Sequence, residues 1–214
     1  RVCVVCDCYP SAVTDLWPDN AEQPTSKLAR VSHGGFGRRD VAPFSDIDLM
    51  ILHAPGAESL VFPLASRLLR DLSDARFEVG QSVRTARQAC TLALQEPTIC
   101  TSLMESRLLA GGEKLFQAFF EKFKRAVISR SRMLFPLIDK ERRKERLQFG
   151  DTLYLLEPNI KRSRGGLRDL QLLRWLGFTR HGVTDPVALE RLGAISKSDQ
   201  RTLRDATEFL LRLR

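Results

Sequence analysis

Residues 31–52 restrict this chain more than any other stretch. Gly34-Gly35-Phe36-Gly37-Arg38 reads as a glycine-rich turn that ends in a cation. Ser45-Asp46-Ile47-Asp48-Leu49-Met50-Ile51-Leu52 reads as a strand that carries two acids and then turns wholly apolar. Side chains at i and i+2 of a strand share a face, so Asp46 and Asp48 lie side by side while Ile47 and Leu49 face a core. Two neighbouring carboxylates repel each other unless a hard cation sits between them. Mg²⁺ takes oxygen ligands and completes its shell with waters and substrate phosphates. Glycines just upstream let backbone N–H groups approach a phosphate. The stretch therefore points to a metal-dependent nucleotide site in a chain with at least one small sheet.

The rest of the composition narrows the class. With 214 residues there is room for one large or two small domains. No apolar run reaches the ~20 residues that span a bilayer, and residues 1–10 carry no long apolar region of a signal peptide, so a cytoplasmic location is expected. Five cysteines are too few and too unevenly placed for a disulfide framework. Cys3, Cys6 and Cys8 form a CxxCxC cluster that suits zinc or iron–sulfur ligation but lacks a nearby fourth ligand. The alternative is an incidental cysteine-rich end. Cys90 and Cys100 fall on apolar helical faces and read as core. The net charge of +8 permits nucleic acid, an acidic protein or a phosphorylated substrate as partner. Few aromatics interleave with the basic run at 122–146, which argues against single-stranded nucleic acid and for a solvated helix face.

In chain order, residues 1–30 read as irregular except for a weak strand over 27–32. A helix is expected over 60–74, from leucines four apart at Leu60, Leu64, Leu68 and Leu72. Residues 76–84 alternate as a second strand. Glu78 is then a candidate third carboxylate, if that strand lies beside the first with Glu78 on the metal face. Two short helices are expected over 87–95 and 98–110, with Arg84, Glu105 and Arg107 as a possible ion network. Gly111-Gly112 reads as a helix stop and a domain boundary. A long helical pattern follows over 115–149, with Phe116, Phe119, Phe120, Phe123 and Val127 on one stripe and Pro136 expected to kink or divide it. A basic loop opens a helix at Leu167, whose apolar face is Leu167, Leu170, Leu173, Trp175 and Leu176. Asp185-Pro186 starts a short helix stopped by Gly193, and Ser196 caps a last helix that runs to Arg214 with its apolar pattern intact. A fragment of something longer is therefore expected. The domains read as 1–110, α/β, and 111–214, all helical.

Chemically, the pattern suits nucleotidyl transfer. Asp46 and Asp48 position metal ions, one on the triphosphate and one on the attacking hydroxyl. Arg38 or Arg39 neutralises charge on the departing pyrophosphate. Ser45, at the head of the acid strand, is counted with the nucleotide-binding set.

Four motifs carry a resemblance: Gly34-Gly-Phe-Gly-Arg38; Pro43-Phe-Ser-Asp-Ile-Asp-Leu49; Val79-Gly-Gln-Ser-Val-Arg84; and Glu157-Pro-Asn-Ile-Lys161 with Gly165-Gly-Leu-Arg-Asp-Leu-Gln171. From about Val31 onward the chain resembles the bacterial PII uridylyltransferase/uridylyl-removing enzymes. The first two motifs are shared by the polymerase-β-like nucleotidyltransferase superfamily, and the later ones are more particular. The resemblance implies an α+β fold: a polymerase-β-like domain with a small mixed sheet, then an all-α domain. It implies transfer of UMP from UTP, with Mg²⁺, to a tyrosine hydroxyl of the PII nitrogen-regulatory protein. Gly34 and Gly35 would hold the triphosphate, and Asp46 and Asp48 the metal. The family's HD hydrolase and ACT regions have no counterpart in these 214 residues, and the resemblance does not carry Glu78 over as the third carboxylate.

A separate expectation concerns 161–171. Glycines opening a helix among Lys161, Arg162, Arg164 and Arg168 make an anion-friendly N-terminus, with Arg168 reaching the nucleotide. The alternative is a packing loop. Competing functions are a glutamine-synthetase-type protein adenylyltransferase, a nucleotide-binding sensor without transfer, and an RNA- or tRNA-type nucleotidyltransferase. Intact Asp46 and Asp48 argue against the sensor, and the missing aromatics argue against RNA.

Overall fold

A computed structural model describes residues 26–41, 45–150, 152, 154, 156, 157 and 159–214. Cys3, Cys6 and Cys8, the irregular segment before residue 26, and Pro43 and Phe44 lie outside the described residues. The elements are β1 (Leu28–Ser32), α1 (Gly34–Arg38), β2 (Ile47–His53), α2 (Glu58–Asp74), β3 (Val79–Thr85), α3 (Ala86–Gln95), α4 (Pro97–Leu103), β4 (Arg107–Gly111), α5 (Glu113–Ser129), α6 (Ser131–Phe149), α7 (Leu167–His181), α8 (Pro186–Arg191) and α9 (Lys197–Leu213). The architecture is α+β, a small mixed sheet with helices followed by helices alone.

The chain divides into two compact units. One holds residues up to Ala93 together with Glu105–Phe123; the other holds Leu94–Met104 and Lys124–Arg214. In the first unit the sheet order is β3-β2-β1-β4. β1 is antiparallel to both β2 and β4, while β2 and β3 run parallel. One sheet face is buried beneath α2. Ile47 and Leu49 pack with Phe36 and Leu72, and Ile51 packs with Leu28, Ala57, Val61 and Ala65. Each such buried side chain contributes roughly 1.5–3 kcal/mol by leaving water. The side chains between them, Asp48 and Met50, point to the opposite face.

β4 departs from the expected helix over 98–110. The helix ends at Leu103, and Arg107–Gly111 pairs with β1 instead. A short apolar run such as Arg107-Leu-Leu-Ala-Gly111 satisfies either period, and the open edge of β1 decides it. Gly111 is then a contact residue of the sheet, since a Cβ there would lie 2.4 Å from the Leu28 carbonyl oxygen.

The long helix also divides differently. The break falls at Arg130, between α5 and α6, and the helix continues through Pro136. Starting α6 at Ser131 puts Pro136 near its N-terminus, where the ring removes a single backbone hydrogen bond. The phenylalanine stripe forms as expected: Phe119, Phe123 and Val127 are fully buried, and Phe116 stacks on Phe120 at 5.7 Å. On α7 the buried row is Leu167, Gln171, Trp175, Phe178 and Thr179, which keeps Leu167 and Trp175 of the expected face and leaves Leu170, Leu173 and Leu176 half-buried. Asp185 caps α8 through the Val187 and Ala188 amides, and Ser196 with Asp199 forms a capping box on α9.

Candidate active site

The glycine segment is not an open turn. Gly34–Arg38 closes one turn of helix, α1, directly after β1. Gly34 adopts φ 57 to make the corner, a conformation that favours glycine. Gly37 permits a close approach, because a Cβ there would sit 2.0 Å from the Glu105 carbonyl oxygen. Arg107 secures the far end of the turn by donating to the Gly37 and Phe36 carbonyls, both at 3.4 Å. The N–H groups of Gly34, Gly35 and Phe36 precede any i−4 acceptor within this helix.

Asp46 immediately precedes β2 and is exposed, while Asp48 is its second residue and half-buried. The His33 amide donates to the Asp48 carbonyl oxygen at 3.2 Å. That bond joins the start of the glycine turn to the acid strand. The His33 ring is held near neutrality: burial first, with help from the Arg84 charge, lowers its pKa to about 4 despite a hydrogen bond with the Leu49 backbone. Arg38 is steadied by Asp40, Nε to Oδ2 at 2.7 Å, with its side chain 5% exposed. Its terminal nitrogen lies 3.9 Å from where a Gly35 Cβ would be. Arg39 is exposed, in the left-handed region at φ 66. Ser45 is half-buried beside Asp46.

Glu78 is exposed, and its carbonyl oxygen accepts from the Ile47 amide at 2.8 Å. Its neighbours Phe77 and Val79 pack into the core, so alternation turns the Glu78 side chain toward the Asp46 and Asp48 face. Among the described residues no three His, Cys, Asp or Glu side chains gather into a metal-holding group. Two hard carboxylates still fit Mg²⁺, which is commonly bound by one or two carboxylates plus substrate phosphates.

The third strand holds what sequence reading missed. β3 is in parallel register with β2, pairing Asp48 with Gly80, Met50 with Ser82 and Leu52 with Arg84. Gly80, Ser82 and Arg84 therefore form a row beside the acids. Alternation in 79–84 signalled the strand, but only its pairing partner and register place this row.

The second unit explains the later motifs. Asp169 Oδ1 accepts from Arg142 Nε at 2.8 Å and from an Arg146 terminal nitrogen at 2.8 Å, and its Oδ2 accepts from the Gly165 amide at 2.8 Å. Burial alone would raise the Asp169 pKa, but these bonds together hold it below the usual carboxylate value. Arg142, only 2% exposed, also donates to the Arg162 and Ser163 carbonyls at 2.8 and 3.1 Å. Asn159 folds the loop by accepting from the Lys161 and Arg162 amides at 3.1 and 2.9 Å. Gly166 passes so near that a Cβ would meet the Ile160 carbonyl oxygen at 2.5 Å. The amides of Gly166, Leu167, Arg168 and Asp169 donate to Ser163, Ile160, Lys161 and Gly166 carbonyls. With Gly165 donating to Asp169, each amide from 165 to 169 has an acceptor inside the loop. Arg168 contacts Glu145 at 3.4 Å and Gln171 at 2.9 Å, and lies over Trp175 at 5.4 Å. A nucleotide role for Arg168 thus rests on its guanidinium, without the helix start.

The family described as GlnD PII-uridylyltransferase matches residues 138–214. A bifunctional uridylyltransferase/uridylyl-removing enzyme of Haemophilus influenzae (strain 86-028NP) is 34% identical over 98% of this chain and 24% of its own length. The enzyme of that name from Pseudomonas fluorescens (strain SBW25) is 36% identical over 92% of this chain and 21% of its own. That of Erythrobacter litoralis (strain HTCC2594) is 32% identical over 96% and 22%. The chain is similar to these bifunctional uridylyltransferase/uridylyl-removing enzymes. It spans about a quarter of the length of the curated relatives it matches. Among solved structures, one titled "Crystal structure of the toxin-antitoxin with AMP-PNP" aligns with a TM-score of 0.39 and 17% identity, over 64% of this chain and 97% of that one. No helix among the described residues is long and apolar enough to cross a membrane.

Proposed function

We propose that the first unit carries a Mg²⁺-dependent nucleotidyltransferase site that moves UMP from UTP to a tyrosine hydroxyl of the PII nitrogen-signal protein in the cytoplasm. The observation that supports it most is the bond from the His33 amide to the Asp48 carbonyl, 3.2 Å, which fixes the glycine turn beside the acid pair. The names of the relatives favour a uridylyl donor.

In this reading the amides of Gly34 and Gly35 bind triphosphate oxygens. Asp46 and Asp48 hold Mg²⁺, which when bound stabilises charge on the phosphates and on the attacking oxygen. The phenolic oxygen of the acceptor attacks the α-phosphorus of UTP. A new P–O bond forms, the bond to the β-phosphate oxygen breaks, and pyrophosphate departs with the electron pair. The phenolic proton leaves to solvent or to Glu78, whose side chain alternation turns toward the Asp46 and Asp48 face. Arg38, steadied by Asp40, offsets the negative charge gathering on pyrophosphate.

The test is to incubate the chain with Mg²⁺, purified PII and labelled UTP or ATP. The expected result is label on PII from UTP, abolished in Asp46→Asn/Asp48→Asn. Label that survives the double variant sinks the metal assignment. Preference for ATP would move the reading to adenylyl transfer, and no label from either nucleotide would move it to the sensor. Arg168→Ala separates the two views of the second unit. A raised UTP KM supports contact with nucleotide, whereas unchanged KM and kcat leave Arg168 a packing residue.

A further inference from the structure

Gly80 is hard to explain by folding alone. It lies inside β3, where glycine is disfavoured because it gains flexibility on unfolding and packs nothing. No left-handed backbone demands it: Gly80 is absent from the positive-φ residues, which include Gly34, Gly56 and Gly111. It is exposed, so no crowded core demands it either. Among the described residues a Cβ placed there would meet one group only, 2.8 Å from Asp48 Oδ1 and 4.0 Å from Asp48 Cγ. The parallel register explains the encounter, since Gly80 and Asp48 are paired across neighbouring strands and share a face.

We infer that Gly80 is a positioning residue: its missing side chain keeps open the space in which the Asp48 carboxylate turns toward β3. This rests on the proposal that Asp48 holds the metal. The strand position directly beside Asp48 is also where a third carboxylate on β3 would most readily complete an acid cluster. A glycine there makes the site a two-acid site at this level, with room left for waters or substrate oxygens in the metal shell. An alanine would not break the strand, because the obstructing atom ends a side chain that can rotate. It would rotate Asp48 away from its working direction.

The test compares wild type, Gly80→Ala, Asp48→Asn, Asp48→Ala and Asp48→Ala/Gly80→Ala in the full 214-residue chain. Mn²⁺ serves as the metal probe, read by calorimetry without nucleotide, alongside Tm and uridylyl transfer. Gly80→Ala is expected to weaken Mn²⁺ binding by about 5- to 10-fold and to lower kcat more than it raises UTP KM, while Tm holds or rises. These figures are of the size expected for a misdirected metal ligand. In the Asp48→Ala background the same substitution should leave Mn²⁺ affinity unchanged, and Tm should again hold or rise. Wild-type Mn²⁺ affinity and kcat in Gly80→Ala, with Asp48→Asn impaired, overturns this inference and leaves the proposed function standing. Wild-type Mn²⁺ affinity in Asp48→Asn overturns the metal assignment itself. If Gly80→Ala lowers Tm equally with and without Asp48, the glycine serves the fold and the inference fails.

Discussion

Asp48 and Asp169 are both motif acids beside glycines, yet their surroundings are opposite in design. Asp169 accepts from two arginines and one backbone amide, so its charge is consumed within the second unit. Asp48 stands beside an exposed strand glycine, and its neighbour Asp46 is exposed at the mouth of β2. An acid that is fully answered by its own chain is architecture. Two acids on one strand face repel each other unless a cation joins them, which is the role proposed for Asp46 and Asp48.

That contrast can be broken most forcefully through the acids. Asp46→Asn/Asp48→Asn should reduce transfer by about 10³-fold, equivalent to ~4 kcal/mol of barrier. Its urea-unfolding midpoint should shift by no more than an ordinary point substitution, about 1 kcal/mol. Asp169→Ala should do the reverse. It strips the 2%-exposed Arg142 of one of its two carboxylates, the other being Glu145 at 3.1 Å, and leaving a buried donor unanswered costs about 1–3 kcal/mol, readable as a lowered unfolding midpoint.

Acid titration of the metal-free protein sharpens the comparison further. His33 has its folded pKa lowered to about 4 from 6.5. The unfolded chain therefore binds the extra proton between those values, and stability is lost as pH falls from about 6.5 to 4, by roughly 3 kcal/mol at most. Asp169 also has a depressed folded pKa, but for a carboxylate that stability is intact above the ordinary value and is lost only below about pH 4. Spectroscopic probes in each unit should report the earlier loss around β2 and the later one around α7. A single transition shared by both would remove the distinction. The smallest effect expected is for Gly166→Ala, about 2 kcal/mol from overpacking against the Ile160 carbonyl, measured by the shift in Tm with transfer activity per folded molecule retained.

Much of the fold was legible because its signals are local. The acid-then-apolar run over 45–52, alternation in 76–84, leucines at spacing four in α2, and the capping residues Asp185 and Ser196 each act over a few residues. β4 was not legible, because Arg107–Gly111 becomes a strand through an edge contributed from nearly eighty residues earlier. The basic loop was misleading for a related reason. Its cations and glycines match an anion site in sequence, but Arg142 and Asp169 meet across 27 residues and close the loop on itself. The candidate acids were visible from spacing alone. The glycine that gives Asp48 its room was not, since its meaning depends on which strand lies alongside.

The placement of β4 has a consequence for how the chain is made. The first sheet takes its edge strand from residues 107–111, after Leu94–Met104 has already been assigned to the other unit, whose remaining residues begin at Lys124. On the ribosome, neither unit can be completed in turn. The β1 edge stays open until residue 111 has emerged, and α4 waits for partners such as α6. Nascent chains are therefore exposed to edge-to-edge association during that interval. A gene split or a proteolytic nick at Gly111-Gly112 would divide the two units unequally and leave α4 on the wrong piece.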